Sequence, residues 1–214
     1  MSSSKAPARV WVPANPLTAV CADTPEAKHA GNLFIATLSN QGFTCTLTAL
    51  TPQTDPCAPL RVALLSGESD IALHLLDDLA TFDMPGLSLI AVSKDFALEI
   101  REDEDALGNV LAELDDLDRR LELQAERAFF SAIDASRDNS LKAEGVLTRN
   151  VAAVPAVASG TLTLSVSGVW AGHPVDLSAD TVLPLGKERT EFDYAIACSQ
   201  ELGIALADEV LSQF

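Results

Sequence analysis

The chain has 214 residues, 48% of them hydrophobic, so it is long enough to bury a real core and too apolar for wholesale disorder. Against 14 Lys and Arg stand 31 Asp and Glu, a formal charge of −17, which speaks against nucleic acid and anionic membranes as partners because holding phosphates takes clustered cations. No apolar run approaches the roughly 20 residues of a membrane-spanning helix, and MSSSKAPARVWVPANP lacks the apolar segment of a signal peptide, so a cytoplasmic location is expected.

In chain order, residues 9–12 form a short candidate strand, followed by a turn over 13–16. Residues 24–38 read as a helix: Thr24 can cap it, Pro25 suits its first position, and Ala27, Ala30, Leu33 and Phe34 share a face. Residues 43–50 read as a strand, 51–59 as a Pro-containing loop, and 60–66 as a short helix stopped by Gly67. The stretch DIALHLLDDLATF follows, with a strand over 70–74. Pro85 and Gly86 make a turn before a buried strand over 87–92. The order βαβαββ is an α/β layout.

The character then changes. Residues 101–105 read REDED, and 106–133 are strongly helical, with Leu107, Val110, Leu111 and Leu114 on one stripe and Leu121, Ala125, Ala128 and Phe129 on another. The acidic run over 99–118 reads as a solvated helix face and a domain connection. Residues 136–150 are polar and poor in pattern, and read as loop. TLTLSVSGVW, 161–170, alternates as a strand with one wet face, 175–185 holds another strand or two, and Ile196, Leu202, Leu206 and Val210 stand in helical register near the end. The fold expected is α/β plus α+β: an α/β domain over 1–105, an acidic helical connection over 106–120, and over 121–214 a small domain whose antiparallel sheet carries helices on one face.

The four cysteines, Cys21, Cys45, Cys57 and Cys198, form no CxxC pair and read as ordinary thiols. The three histidines, His29, His74 and His173, have no metal-site spacing, so no metal is expected. No Gly-rich phosphate loop or nucleophile elbow is present. The richest local chemistry is His74, Asp77 and Asp78, just past a strand end, where open α/β sheets usually bind ligands. Asp77 and Asp78 read either as the solvated start of a short helix or, if the backbone brings them together, as a carboxylate pair with one raised pKa. His74 reads as a hydrogen-bonded structural histidine or as a binding residue.

Three stretches together resemble the hydroxymethylbilane synthase (porphobilinogen deaminase) family. GESDIALHLLDDLATFDMPGLSLIAV, 67–92, is similar to the family's Gly-x-x-Asp-Ile-Ala-Val-His-Ser-x-Lys-Asp-x-Pro-Thr segment with its Pro-Gly-Leu turn and apolar strand. REDEDALGNVLAELDDLDRRLELQAERAFFSAI, 101–133, resembles the acidic linker and the helix with Ala-Glu-Arg-Ala-Phe. VPAVA, followed by TLTLSVSGVW and the closing helix, looks like the C-terminal domain, and RVWVPANPL echoes the opening strand. The resemblance implies a periplasmic-binding-protein-like half domain at the N-terminus. Family members have three domains; here the middle one is expected to be missing, excised between the strands at 87–92 and 97–101.

The resemblance also implies what has been lost. The family's dipyrromethane cofactor hangs by a thioether from a cysteine whose place is taken here by Ala152, which has no sulfur nucleophile, so dipyrromethane is expected to be absent and no cofactor is expected. The family's catalytic aspartate is matched by Asp78, but its lysine is replaced by Asp77 and the serine after the histidine by Leu75. The opening-strand arginine that helps bind substrate carboxylates aligns with Pro13, and the neighbouring serine with Asn15. Arg137, Lys142 and Arg149 form the one remaining basic cluster, in a polar loop.

The reading is a deaminase-like pseudoenzyme, leaning away from enzymatic activity: a protein-binding or regulatory factor connected with tetrapyrrole (haem) biosynthesis. Asn15, His74, Asp77 and Asp78 are its candidate binding residues, and Leu75, Leu76 and Leu79 its candidate interface. The partner would be a second copy, a genuine hydroxymethylbilane synthase or another enzyme of that pathway. The alternatives are a pyrrole or tetrapyrrole binder that keeps Asp78, and a degenerate synthase with residual activity.

Overall fold

The computed structural model describes residues 16–51, 54–133, 140–150, 158–186 and 188–213. It is a mixed α/β protein that divides into two units between Asp115 and Asp116, with Ala80–Phe82 grouped with the second unit.

In the first unit, β1 (Leu17–Ala22), β2 (Cys45–Leu50), β3 (Ile71–Leu75), β4 (Leu87–Val92) and β5 (Phe96–Arg101) make one sheet in the order β2-β1-β3-β5-β4. β1 runs parallel to β2 and β3, while β5 is antiparallel to both β3 and β4. Helix α1 (Pro25–Asn40) starts as its sequence dictates: the Thr24 hydroxyl accepts from Ala27 N at 3.2 Å and Pro25 follows. It packs Ala27, Ala30, Phe34 and Leu38 on the sheet face that carries Ala19, Cys21, Ile71, Leu73 and Leu98, together with Leu107 and Leu111 of α3 (Asp105–Leu111). The other face carries Val20, Ala72 and Leu87 and is covered by Leu60, Ala63 and Leu64 of α2 (Cys57–Leu65). Helices on both faces explain the unbroken apolar runs of the inner strands.

In the second unit, β6 (Lys142–Arg149), β7 (Ser159–Trp170) and β8 (His173–Pro184) form an antiparallel sheet in the order β6-β7-β8. Leu162, Leu164 and Val166 point from β7 into a core with Leu121, Ala125 and Phe129 of α4 (Leu117–Ala132) and Leu202, Leu206 and Val210 of α5 (Arg189–Ser212), so the helices share one face. The two helices approach closely at Gly203, where a Cβ would stand 2.3 Å from the Ala125 carbonyl oxygen.

Several expectations need correction. The strand expected over 9–12 lies outside the described residues; the first described strand is Leu17–Ala22, directly after the stretch read as a turn. Leu33 is exposed, and the buried stripe of α1 runs through Gly31 and Leu38 instead. α2 begins at Cys57, not at residue 60, because Pro59 is tolerated in a first helical turn. The single helix expected over 106–133 is broken: a 3-10 turn, Ala112–Leu114, ends its first part, and Asp116 caps α4 by accepting from the backbone N–H groups of Asp118 and Arg119. Residues 142–149 are a strand rather than loop. β6 lacks apolar alternation because backbone bonds hold it: β7 pairs one edge, while Gly145 N and Leu147 N donate to the carboxylates of Glu126 and Glu122. The expected basic cluster dissolves accordingly. Lys142 and Arg149 stand at opposite ends of that strand, Arg149 forks onto Asp118, and Arg137 lies outside the described residues. Of the strand or two expected over 175–185, the structure has one, β8.

Candidate functional site

The parallel strands β1, β2 and β3 end together at Ala22, Leu50 and Leu75. The chain turns there through a 3-10 helix, Leu76–Asp78, closed by Leu79 N donating to Leu76 O. The carboxylates therefore stand at the carboxyl edge of the sheet, Asp77 exposed and Asp78 half-buried. Leu75 and Leu76 are half-buried and Leu79 is buried. Asn15 and Ala152 lie outside the described residues.

His74 goes the other way. Side chains alternate along β3, so His74 and Ala72 face α2 while Ile71 and Leu73 face α1. On the neighbouring antiparallel strand Glu99 pairs with Ala72 and Ala97 with His74, which puts Glu99 on the same face and diagonal to His74. α2 brings two more polar groups to this face. Cys57 and Arg61 are one helical turn apart, on the stripe that also carries Leu60 and Leu64. Cys57 and His74 are each 1% exposed, Arg61 and Glu99 each 2%, so each needs polar partners inside the fold.

Arg61 meets Glu99 as a fork: Nε donates to Oε2 at 2.9 Å and Nη2 to Oε1 at 2.5 Å. His74 Nε2 lies 3.1 Å from Glu99 Oε2, within ion-pair range but off the line of a hydrogen bond. Its other ring nitrogen, Nδ1, is 3.3 Å from Cys57 Sγ. The thiol sulfur is also 2.8 Å from the carbonyl oxygen of Asp78, and the Cys57 amide donates to Asp55 Oδ1 at 2.9 Å. Burial is the largest single influence on the Glu99 carboxyl and pushes it up; the His74 imidazole and the Arg61 guanidinium together outweigh it and hold Glu99 at about 2. The carboxylate is therefore ionised throughout the neutral range. At Cys21 and Cys45 burial pushes the thiol up, in Cys45 to about 11.

Chemically, an imidazole lies between a fixed carboxylate and a thiol at the start of a helix. That order of groups lets a histidine take a thiol proton while the carboxylate steadies the charge it acquires. Of the residues singled out from the sequence, His74 belongs to this array, and Asp78 touches it through its backbone alone. Cys57, Arg61 and Glu99 were missed. Two signals for them exist: Glu99 is a charge inside the apolar run ALEI, and Cys57 and Arg61 interrupt an apolar helix stripe at i, i+4.

No helix among the described residues is long and apolar enough to cross a membrane. No protein-family model matches the chain, and no curated protein is significantly similar to it.

Proposed function

We propose that the chain is a non-catalytic, hydroxymethylbilane synthase-like protein that acts by binding another protein of tetrapyrrole biosynthesis in the cytoplasm. The observation that carries this reading is the fate of the deaminase-like segment. Its histidine is committed inward, to Cys57 and Glu99, and the position beside Asp78 that holds a lysine in the family is the exposed carboxylate Asp77. A substrate bearing several carboxylates needs guanidinium or ammonium partners, and a turn presenting Asp77 and Asp78 repels it. A thioether-held dipyrromethane lacks its family anchor, since Ala152 offers no sulfur.

The first unit is read as half of a periplasmic-binding-protein-like pair whose other half has been excised. Support comes from the hairpin β4–β5, in which Val92 pairs directly with Ala97 and the Ser93 hydroxyl accepts from Asp95 N and Phe96 N. Two strand ends that are neighbours in the sheet can be joined by a short turn without disturbing the rest, and domains are lost and gained at such places. The surface offered to a partner is the turn after β3, with Asp77 and Asp78 as polar rim and Leu75 and Leu76 as apolar area.

The test uses the purified full chain. Its intact mass should show no added dipyrromethane, Ehrlich reagent should stay colourless, and porphobilinogen should not be consumed. Sedimentation with the same cell's hydroxymethylbilane synthase should show a complex that Asp77→Lys weakens. Covalent pyrrole or porphobilinogen turnover overturns the non-catalytic reading; sedimentation of the two proteins as separate species overturns the choice of partner.

A further inference from the structure

We propose that Cys57 is a peroxide-reactive thiol, activated by His74 and modified to a sulfenic acid by a small uncharged peroxide. The proposal stands on the four-residue array alone and is independent of the deaminase-like reading.

The geometry separates Cys57 from an ordinary buried cysteine. Its sulfur has two acceptors within reach, the Asp78 carbonyl oxygen at 2.8 Å and His74 Nδ1 at 3.3 Å, but only one proton to give. A carbonyl oxygen can only accept, so with the thiol proton directed at Asp78 the sulfur is at rest. Rotation about the Cβ–Sγ bond carries the proton to the imidazole. Glu99, fixed by the Arg61 fork, stands 3.1 Å from the far ring nitrogen, so a negative charge faces the ring as it takes the proton. Cys57 is also the first residue of a nine-residue helix, whose N-terminal dipole favours a thiolate. A buried thiol with a purely structural role needs neither an imidazole beside its sulfur nor a carboxylate on the far side of that ring.

The choice of oxidant follows from access and charge. Cys57 is 1% exposed, and it touches two surface segments: its sulfur meets the Asp78 carbonyl oxygen in the turn Leu76–Asp78, and its amide meets Asp55 in the loop leading into α2. Both carry carboxylates, Asp77 and Asp78 on one side and the exposed Asp55 on the other, on a chain with a formal charge of −17. Anionic thiol reagents and glutathione disulfide are repelled and too large, whereas hydrogen peroxide is neutral and about the size of two water molecules. In the reaction the Cys57 proton passes to His74 Nδ1 and the sulfur attacks one peroxide oxygen. The S–O bond forms as the O–O bond breaks, and the departing hydroxide takes the proton back from His74 and leaves as water. Sulfur loses two electrons and the peroxide gains them, so that one thiol and one hydrogen peroxide give one sulfenic acid and one water.

The experiment compares the cysteines within one molecule. The full chain is treated with hydrogen peroxide at pH 7 in the presence of dimedone, which traps sulfenic acids, and the labelled peptides are quantified over time by mass spectrometry. Cys57 should be labelled at least about tenfold faster than Cys21 and Cys45, the two buried thiols without an activating imidazole. A smaller ratio overturns the proposal. His74→Asn, checked for folding by circular dichroism, should bring Cys57 down to the level of Cys21; unchanged Cys57 labelling in a folded variant assigns its reactivity to something other than His74 and overturns the activation step. Because the variant can fail to fold, the ratio in the unaltered chain decides by itself. An anionic aromatic disulfide should leave Cys57 unmodified under conditions where peroxide reacts; rapid modification by it overturns the selectivity for a neutral oxidant.

Discussion

Arg61 and Glu99 form a two-bond fork between a helix and a strand, and both residues are all but removed from solvent. Their charges cancel, but each was stripped of water to get there, so the pair is not a simple gain in stability. Its effect is better described as mutual dependence. Glu99→Leu or Arg61→Met alone leaves one buried charge without its counterpart and should cost about 3–5 kcal/mol. The double variant Arg61→Met/Glu99→Leu removes both charges and should recover most of that loss. Urea unfolding of all four proteins gives the coupling; a double variant as unstable as the sum of the singles would show that the two residues act independently.

The same pair sets an acid limit. Glu99 is held at about 2, below the ordinary 4.5, so in the folded state it stays ionised at pH values where the unfolded chain takes up a proton. A depressed carboxyl contributes stability that is complete above the unfolded value and is lost as pH falls towards the folded one. Thermal stability should therefore decline from about pH 4.5 down to about pH 2, and Glu99→Gln should flatten part of that decline. Melting curves at several pH values check this; an equally steep decline in Glu99→Gln would assign the acid sensitivity to other carboxylates.

Leu164 is fully buried on the helix-covered face of β7, in the core that also holds Leu121, Phe129 and Leu206. Leu164→Ala should cost about 2–5 kcal/mol, the usual range for a core leucine truncated without collapse of the site. Ser165, its neighbour, points to the wet face and shares a hydrogen bond with Ser178, so Ser165→Ala should change stability by no more than about 0.5 kcal/mol. Chemical denaturation of the two variants tests the assignment of faces.

Gly203 matters for its missing side chain rather than for its backbone angles. A Cβ there would press on the Ala125 carbonyl oxygen at 2.3 Å and the Phe129 nitrogen at 2.8 Å, both rigid parts of α4. Gly203→Ala must push α5 away from α4, which should cost about 1–3 kcal/mol despite alanine's better helix propensity. A stabilised variant would mean that the helices have room to separate.

The turn after β3 separates stability from association. Leu79 is buried, so Leu79→Glu should destabilise the chain by placing a carboxylate in an apolar site. Leu76 is half-buried, so Leu76→Glu should leave the melting temperature nearly unchanged while weakening binding of the proposed partner. Melting curves and sedimentation of both variants distinguish the two roles.

Much of the architecture was legible because it is written in short-range periodicity. The capped start of α1, the alternation of β7 and the Gly67 stop of α2 each need only a few consecutive residues, and the structure has all three. β6 was not legible, because KAEGVLTR is held by backbone bonds to β7 and to two glutamates of a helix some 20 residues away, and backbone bonds leave no hydrophobic signature. The break at Asp115 and Asp116 was hidden because two acidic residues in an acidic run look like more of the same surface; that Asp115 accepts from Val92 N and Asp116 caps α4 depends on which N–H groups stand next to them.

The candidate site divides the same way. The order of residues is enough to establish that His74 ends a buried strand, that two carboxylates follow it, and that the chain around them is strongly negative. It took the folded chain to turn His74 inward and bring it to Cys57, Arg61 and Glu99, residues drawn from a 43-residue span. That meeting depends on the register of β3 against β5, which puts Glu99 diagonal to His74, and on the rotation of α2, which turns Cys57 and Arg61 rather than Val62 towards the sheet. A shift of one residue in that register would send Glu99 to the opposite face. Strand register and helix rotation are set by the whole apolar core at once, which is why no local pattern in the chain announces the array.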